Sequence, residues 1–158
     1  MNISQMVRDY KENDKEQLRQ LVIESNLYQK RSLEKEVLDT EKVRDQTSNL
    51  FDGVLQHPED QHYIVAEIDG KLVGFILVEV SGMYVGRGSV DDLYIQSEYR
   101  NKGIGKALLQ AAFEWLKDNG VKRVGLGVHK SNEVAIKLYK SMGFEEEPET
   151  YLSLEKEL

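Results

Sequence analysis

Residues 89–109 constrain this 158-residue chain most, because an apolar strand passes through a basic, glycine-punctuated turn straight into a strongly periodic helix. The turn reads Arg100-Asn101-Lys102-Gly103-Ile104-Gly105-Lys106. A helix N-terminus offers backbone N–H groups without intrahelical partners and about half a positive charge, so an anion docked there is stabilised by the main chain itself. Gly103 and Gly105 allow close approach to the backbone, while Arg100, Lys102 and Lys106 add positive charge. A diphosphate is the ligand this pattern suits.

Two other phosphate-binding loops fit poorly. A P-loop requires Gly-Lys-Ser/Thr to reach magnesium and a terminal phosphate, but Lys106 is followed by Ala107. A dinucleotide fold wants an acidic residue at the end of the next strand, where this chain carries Lys122 and Arg123.

The surrounding pattern supplies the fold class. Residues 63–68 and 71–80 are apolar runs flanking Asp69-Gly70, the two-residue signal of a type I′ hairpin. Residues 3–9 suit a first strand, and a helix opening at Asn13 or Asp14 carries Leu18, Leu21, Val22 and Ser25 at helical spacing, with Gln17 placed for a capping box. Between Arg31 and Gln56 a thin apolar stripe predicts one or two weakly docked amphipathic helices. Residues 81–88 read as a loop and residues 89–95 as a strand, and residues 103–119 form a helix stopped by Gly120. Residues 121–128 alternate as a strand; Asn132 opens a helix with Val134, Ala135, Leu138 and Met142 inward, and Phe144 starts the last strands. The expectation is one α/β domain over residues 1–158, a mixed sheet with helices on both faces.

Composition narrows the function classes. The chain has no cysteine and three histidines, His57, His62 and His129, so disulfides, thiolate metal sites and cysteine nucleophiles are excluded and no metal is expected. A net charge of −7, with basic residues dispersed among carboxylates, argues against a nucleic-acid partner. No run approaches the ~20 apolar residues of a membrane span, which predicts a soluble, cytoplasmic protein.

With the later segment Asn132-Glu133-Val134-Ala135-Ile136-Lys137-Leu138-Tyr139 in view, the chain resembles the GNAT superfamily of acyl-coenzyme A-dependent N-acetyltransferases. Arg100-Asn101-Lys102-Gly103-Ile104-Gly105 matches that family's [Q/R]-x-x-G-x-[G/A] loop at every fixed position, and the likeness is clearest over residues 62–155. The resemblance implies a mostly antiparallel six- or seven-stranded sheet with splayed fourth and fifth strands and about four helices. It implies acetyl-CoA as cosubstrate, with Leu93, Tyr94 and Ile95 along the pantetheine arm, the amides of residues 101–106 on the pyrophosphate, and Asn132 bonded to the arm. A backbone N–H near Leu93 would polarise the thioester carbonyl.

The resemblance also makes Tyr139 the acid that protonates the departing thiolate. Asn132 and Tyr139 lie two helical turns apart and share a face. Asp91 is the candidate base, by likeness to diamine acetyltransferases that carry an acidic pair ahead of this strand end, and Asp92 is a weaker candidate for holding a cationic substrate. Members acting on protein N-termini carry a glutamate where this chain has Gly127, and histone-type members carry one where it has Ser89. Those losses favour a primary amine on a small cationic molecule. Acetylation of a protein lysine or N-terminus is one alternative, and a non-catalytic acyl-CoA-binding domain is another. Tyr151, Leu152 and Leu154 are candidate contacts of a homodimer.

Overall fold

The computed structural model describes residues 2–3, 6–33 and 37–148. Strands β1 (Val7–Asp9), β2 (Gln61–Ile68), β3 (Lys71–Val80), β4 (Arg87–Ile95) and β5 (Arg123–Leu126) form one sheet in chain order. The first four run antiparallel, and β5 lies parallel to β4. That parallel pair needs a crossover. Helix α3 (Ile104–Asp118) supplies it; α1 (Lys15–Tyr28), α2 (Thr40–Val54) and α4 (Glu133–Ser141) complete the helices.

The β2–β3 turn has positive φ at both Asp69 (51°) and Gly70 (78°), as the type I′ hairpin requires. Seven consecutive buried residues make β3 the spine of the sheet, covered on both faces. On one face Ile64, Ile76 and Val78 meet Leu108, Leu109, Ala112 and Leu116 of α3. On the other, Val65, Phe75 and Leu77 pack with Leu18 and Leu21 of α1 and Phe51 of α2. Truncating a fully buried leucine such as Leu108 to alanine costs about 2–5 kcal/mol, so α3 is fixed chiefly by this packing.

Helix α2 is better anchored than its thin stripe predicts. Only Val43, Thr47 and Phe51 are buried, and Val37 and Leu50 lie exposed. The Arg19 guanidinium of α1 donates to both Asp52 carboxylate oxygens (3.0 and 2.9 Å) and to Ser48 Oγ (2.6 Å), while lying over the Phe51 ring. A polar clamp thus supplements the sparse apolar contact.

Other expectations are corrected. The Asp14–Gln17 capping box does not form, because Asp14 instead accepts two bonds from Arg8 (2.7 and 2.9 Å) and one from the Lys11 N–H. Gln17 reaches the hairpin, accepting from the Leu72 N–H at 3.0 Å. Helix α1 runs on into a π-helical turn, Gln29–Leu33. The sheet has five strands among the described residues rather than six or seven, and residues 144–148 carry no strand. The remainder of the expected C-terminal strands, with Tyr151, Leu152 and Leu154, lies outside the described residues.

Candidate active site

The cleft begins where the parallel pair parts. Strands β4 and β5 pair from Arg87↔Arg123 to Val90↔Leu126, and β5 then ends while β4 continues to Ile95. Residues 91–95 therefore present one strand edge without a β5 partner. At the same point β4 slips against β3: Val90 pairs with Val78 and Asp92 with Leu77, leaving Asp91 as an extra residue. Such a bulge re-aims the side chains around it. Asp92 turns to α1, whereas Asp91 is exposed and accepts a 2.5 Å bond from the Ser89 hydroxyl.

The opened strands border a cleft of about 870 Å³. It gathers Asp91, Asp92, Leu93, Tyr94, Ile95, Arg100, Asn101, Gly103, Ile104, Gly105, Lys106, Asn132 and Tyr139, all candidates from the sequence. Lys102 does not border it; its ammonium sits 5.5 Å from the Tyr99 ring centroid. Gly127 and His129 do border it.

At one end, Asn101 (φ 59°) and Gly103 (φ 82°) both adopt left-handed conformations. Left-handed residues on either side of Lys102 curve the main chain in a way that suits an anion, and Gly103 caps α3 without a side-chain cap. Gly105 has a second purpose. A Cβ there would lie 2.9 Å from Leu138 Cδ2 and 3.3 Å from Ile95 Cδ1, so its absence lets α3, α4 and the end of β4 converge. The Arg100 Nε donates to the Ile95 carbonyl at 2.7 Å, and the guanidinium lies over Tyr28 and Tyr94 at the cleft's border.

Helix α4 forms the opposite wall. Asn132 caps it, accepting from the Ala135 N–H at 3.3 Å. Val134, expected inside the core, is instead 67% exposed at the cleft. Tyr139 is buried, stands edge-on to Phe144, and has its phenol pushed up to about 12 by burial and then by the charge of Asp92. It stays protonated at neutral pH, and the upward push makes it a weaker acid than a free phenol.

Asp92 is a cleft carboxylate with altered chemistry. Burial pushes it up to about 6, against the Ser25 hydroxyl and the Leu93 N–H, which favour the ionised form; nearby Asp91 adds a smaller upward push. Ser25 Oγ lies 3.0 Å from both Asp92 oxygens, and Gln29 Nε2 donates at 3.3 Å. A base near this value is mostly ionised at pH 7 yet far stronger than a solvated aspartate. Sequence reasoning missed Ser25, Gln29 and Tyr28. The available signal was Ser25 itself, a hydroxyl on the buried stripe of α1 that needs a polar partner.

The profile of the acetyltransferase (GNAT) family matches residues 19–144. The chain belongs to that family. Among similar proteins, an N-alpha-acetyltransferase of Sulfurisphaera tokodaii is 37% identical over 53% of this chain and 56% of its own length. A putative [ribosomal protein bS18]-alanine N-acetyltransferase of Bacillus subtilis is 30% identical over 61% and 62%. The chain thus spans less than two-thirds of each relative. The crystal structure of the PaiA N-acetyltransferase of Thermoplasma acidophilum, in complex with coenzyme A, superposes with a TM-score of 0.72 at 26% identity and covers 89% of both chains. A splayed β4–β5 pair beside a glycine-bearing α3 is therefore this GNAT domain's own architecture.

Proposed function

We propose that the chain transfers an acetyl group from acetyl-CoA to a primary amine. One observation carries the reading: a single cleft joins an anion-binding main-chain loop, an unpaired strand edge, a protonated phenol and a carboxylate raised toward neutrality. The coenzyme A complex of the PaiA relative supports the donor. The residues fit it: the 101–106 amides suit a diphosphate, and residues 93–95 offer a free edge to an amide-bearing arm. Acetyl-CoA supplies an acyl carbon already activated as a thioester.

The protein's tasks are proton transfer and positioning. Deprotonating an amine of pKa ~10.4 at pH 7 costs about 4.6 kcal/mol, and Asp92 receives that proton as the nitrogen becomes nucleophilic. The free β4 edge orients the thioester carbonyl toward the amine. As the C–N bond forms and the C–S bond breaks, Tyr139 gives its phenol proton to the thiolate, then recovers one released from the new amide nitrogen. The balance is one ammonium and one thioester consumed, and one amide, one thiol and one proton formed.

The acceptor in this reading is a small molecule whose ammonium is attracted by Asp91 and Asp92. A second reading, the α-amine of a protein N-terminus, is supported by the two named relatives, although Gly127 lacks the glutamate expected of that class. Acetyl-CoA turnover against a panel of amines, with product mass, tests the proposal. An acetylated amine is expected; acetyl-CoA binding without a product from any acceptor, peptides included, would leave only a binding domain.

A further inference from the structure

Where β4 and β5 part, the cleft holds more space than an acetyl group needs. The last pair, Val90↔Leu126, packs both side chains into the α3-side core, so the next residue on each arm, Asp91 and Gly127, falls on the α1 side of the sheet. Asp91 leaves the fork open, because its carboxylate turns back along its own strand to the Ser89 hydroxyl at 2.5 Å. Gly127 leaves it open for want of a side chain. A Cβ there would have no atom within 4 Å, and the residue borders the cleft together with Val90 and Val128. Gly127 is not among the residues with positive φ, so no left-handed backbone demands glycine at this position.

The size of the opening can be set against the size of an acyl group. In the reading above, the acyl carbon lies beside Asp92, and the floor of the fork at Val90 is two residues further in, at most roughly 6–7 Å by strand rise. The methyl of an acetyl group reaches only about 1.5 Å beyond its carbonyl carbon, and each further carbon of a straight chain adds roughly 1.3 Å. Propionyl and butyryl chains therefore end before the floor, with Val90 and Val128 beside their added methylenes. The charge at the fork is of one sign. Asp91 and Asp92 both border the cleft, so a chain that ends in a carboxylate is repelled.

Resting on the acetyl-transfer reading, we propose that the donors of this domain extend to short uncharged acyl groups, with propionyl and butyryl taken from their coenzyme A thioesters as readily as acetyl, and that Gly127 is the residue that admits them. The bond changes are those of acetyl transfer: a C–N bond forms and the C–S bond breaks at the carbonyl carbon of the longer chain. No further reactant is needed.

The test measures kcat/KM for acetyl-, propionyl-, butyryl- and succinyl-CoA with one accepted amine, in the wild type, Gly127→Ala and Gly127→Val. Because ratios between donors are read within one preparation, a partly unfolded variant does not distort them. Burial of a methylene is worth up to about 4-fold, so the wild type is expected to use propionyl- and butyryl-CoA at one to about ten times the acetyl-CoA value. Succinyl-CoA should fall at least ~10-fold below butyryl-CoA. Gly127→Val should lower butyryl-CoA relative to acetyl-CoA by ~10-fold or more, and Gly127→Ala by less, as the fork fills. A wild type that prefers acetyl-CoA over butyryl-CoA by more than ~10-fold, or donor ratios unchanged in Gly127→Val, would overturn the proposal and leave acetyl transfer standing. Succinyl-CoA used as well as butyryl-CoA would overturn the restriction to uncharged chains. No product from any donor with any amine would instead overturn the transfer reading itself.

Discussion

The two ends of the cleft are built from different materials. The phosphate-type end is main chain: left-handed Asn101 and Gly103, the first turn of α3, and a strand edge freed by the end of β5. The opposite end is side chain, assembled from Ser25, Tyr28 and Gln29 of α1 and its π-helical turn against Asp92, Tyr94 and Arg100. A backbone site keeps its geometry through most substitutions. A side-chain site changes its chemistry with one.

The largest expected effect falls where the two ends meet. Tyr139→Phe should lower kcat by ~10²–10⁴-fold, the range of a general acid, with little change in acetyl-CoA binding by calorimetry; undiminished turnover would remove Tyr139 from the chemistry. On the acceptor side, Asp92→Asn should lower kcat/KM by ~10²-fold, whereas Asp91→Asn, at the exposed bulge, should change it only a few-fold.

Asp92 also carries a stability signature. Folding raises its carboxyl to about 6, so its contribution is fully present below the ordinary carboxylate value and is lost as pH rises through about 6. Asp92→Asn should accordingly exceed the wild type in stability by on the order of 2 kcal/mol at pH 8, and by little at pH 3.5, in denaturant titrations.

At the donor end, Gly105→Ala should cost roughly 1–3 kcal/mol through its contact with Leu138, and weaken acetyl-CoA binding as α3 shifts. The smallest expected effect is Ser25→Ala. Loss of a hydroxyl that favours ionised Asp92 should move the acidic limb of the pH profile up by roughly one unit without abolishing activity.

The same contrast decides what the sequence revealed. Local rules are enough for the hairpin at Asp69-Gly70, the glycine-capped α3 and the Asn132-capped α4, because each depends on residues close in the chain. The bulge at Asp91 was not legible, since it is a matter of register against β3, and it separates two aspartates that look equivalent in sequence. The clamp of Arg19 on Asp52 and the hold of Ser25 on Asp92 link residues 33 and 67 positions apart. No periodicity reports such pairings. Val134 failed for a different reason: its apolar character serves the cleft wall rather than the core.

Acetyl transfer in this cleft requires a base, the role proposed for Asp92 beside Tyr139. Its most direct test is the pH dependence of kcat/KM for wild type, Asp91→Asn and Asp92→Asn with one accepted amine. The account predicts an acidic limb near pH 6 in the wild type and in Asp91→Asn that disappears in Asp92→Asn. A limb that persists in Asp92→Asn, or that vanishes in Asp91→Asn, would contradict it.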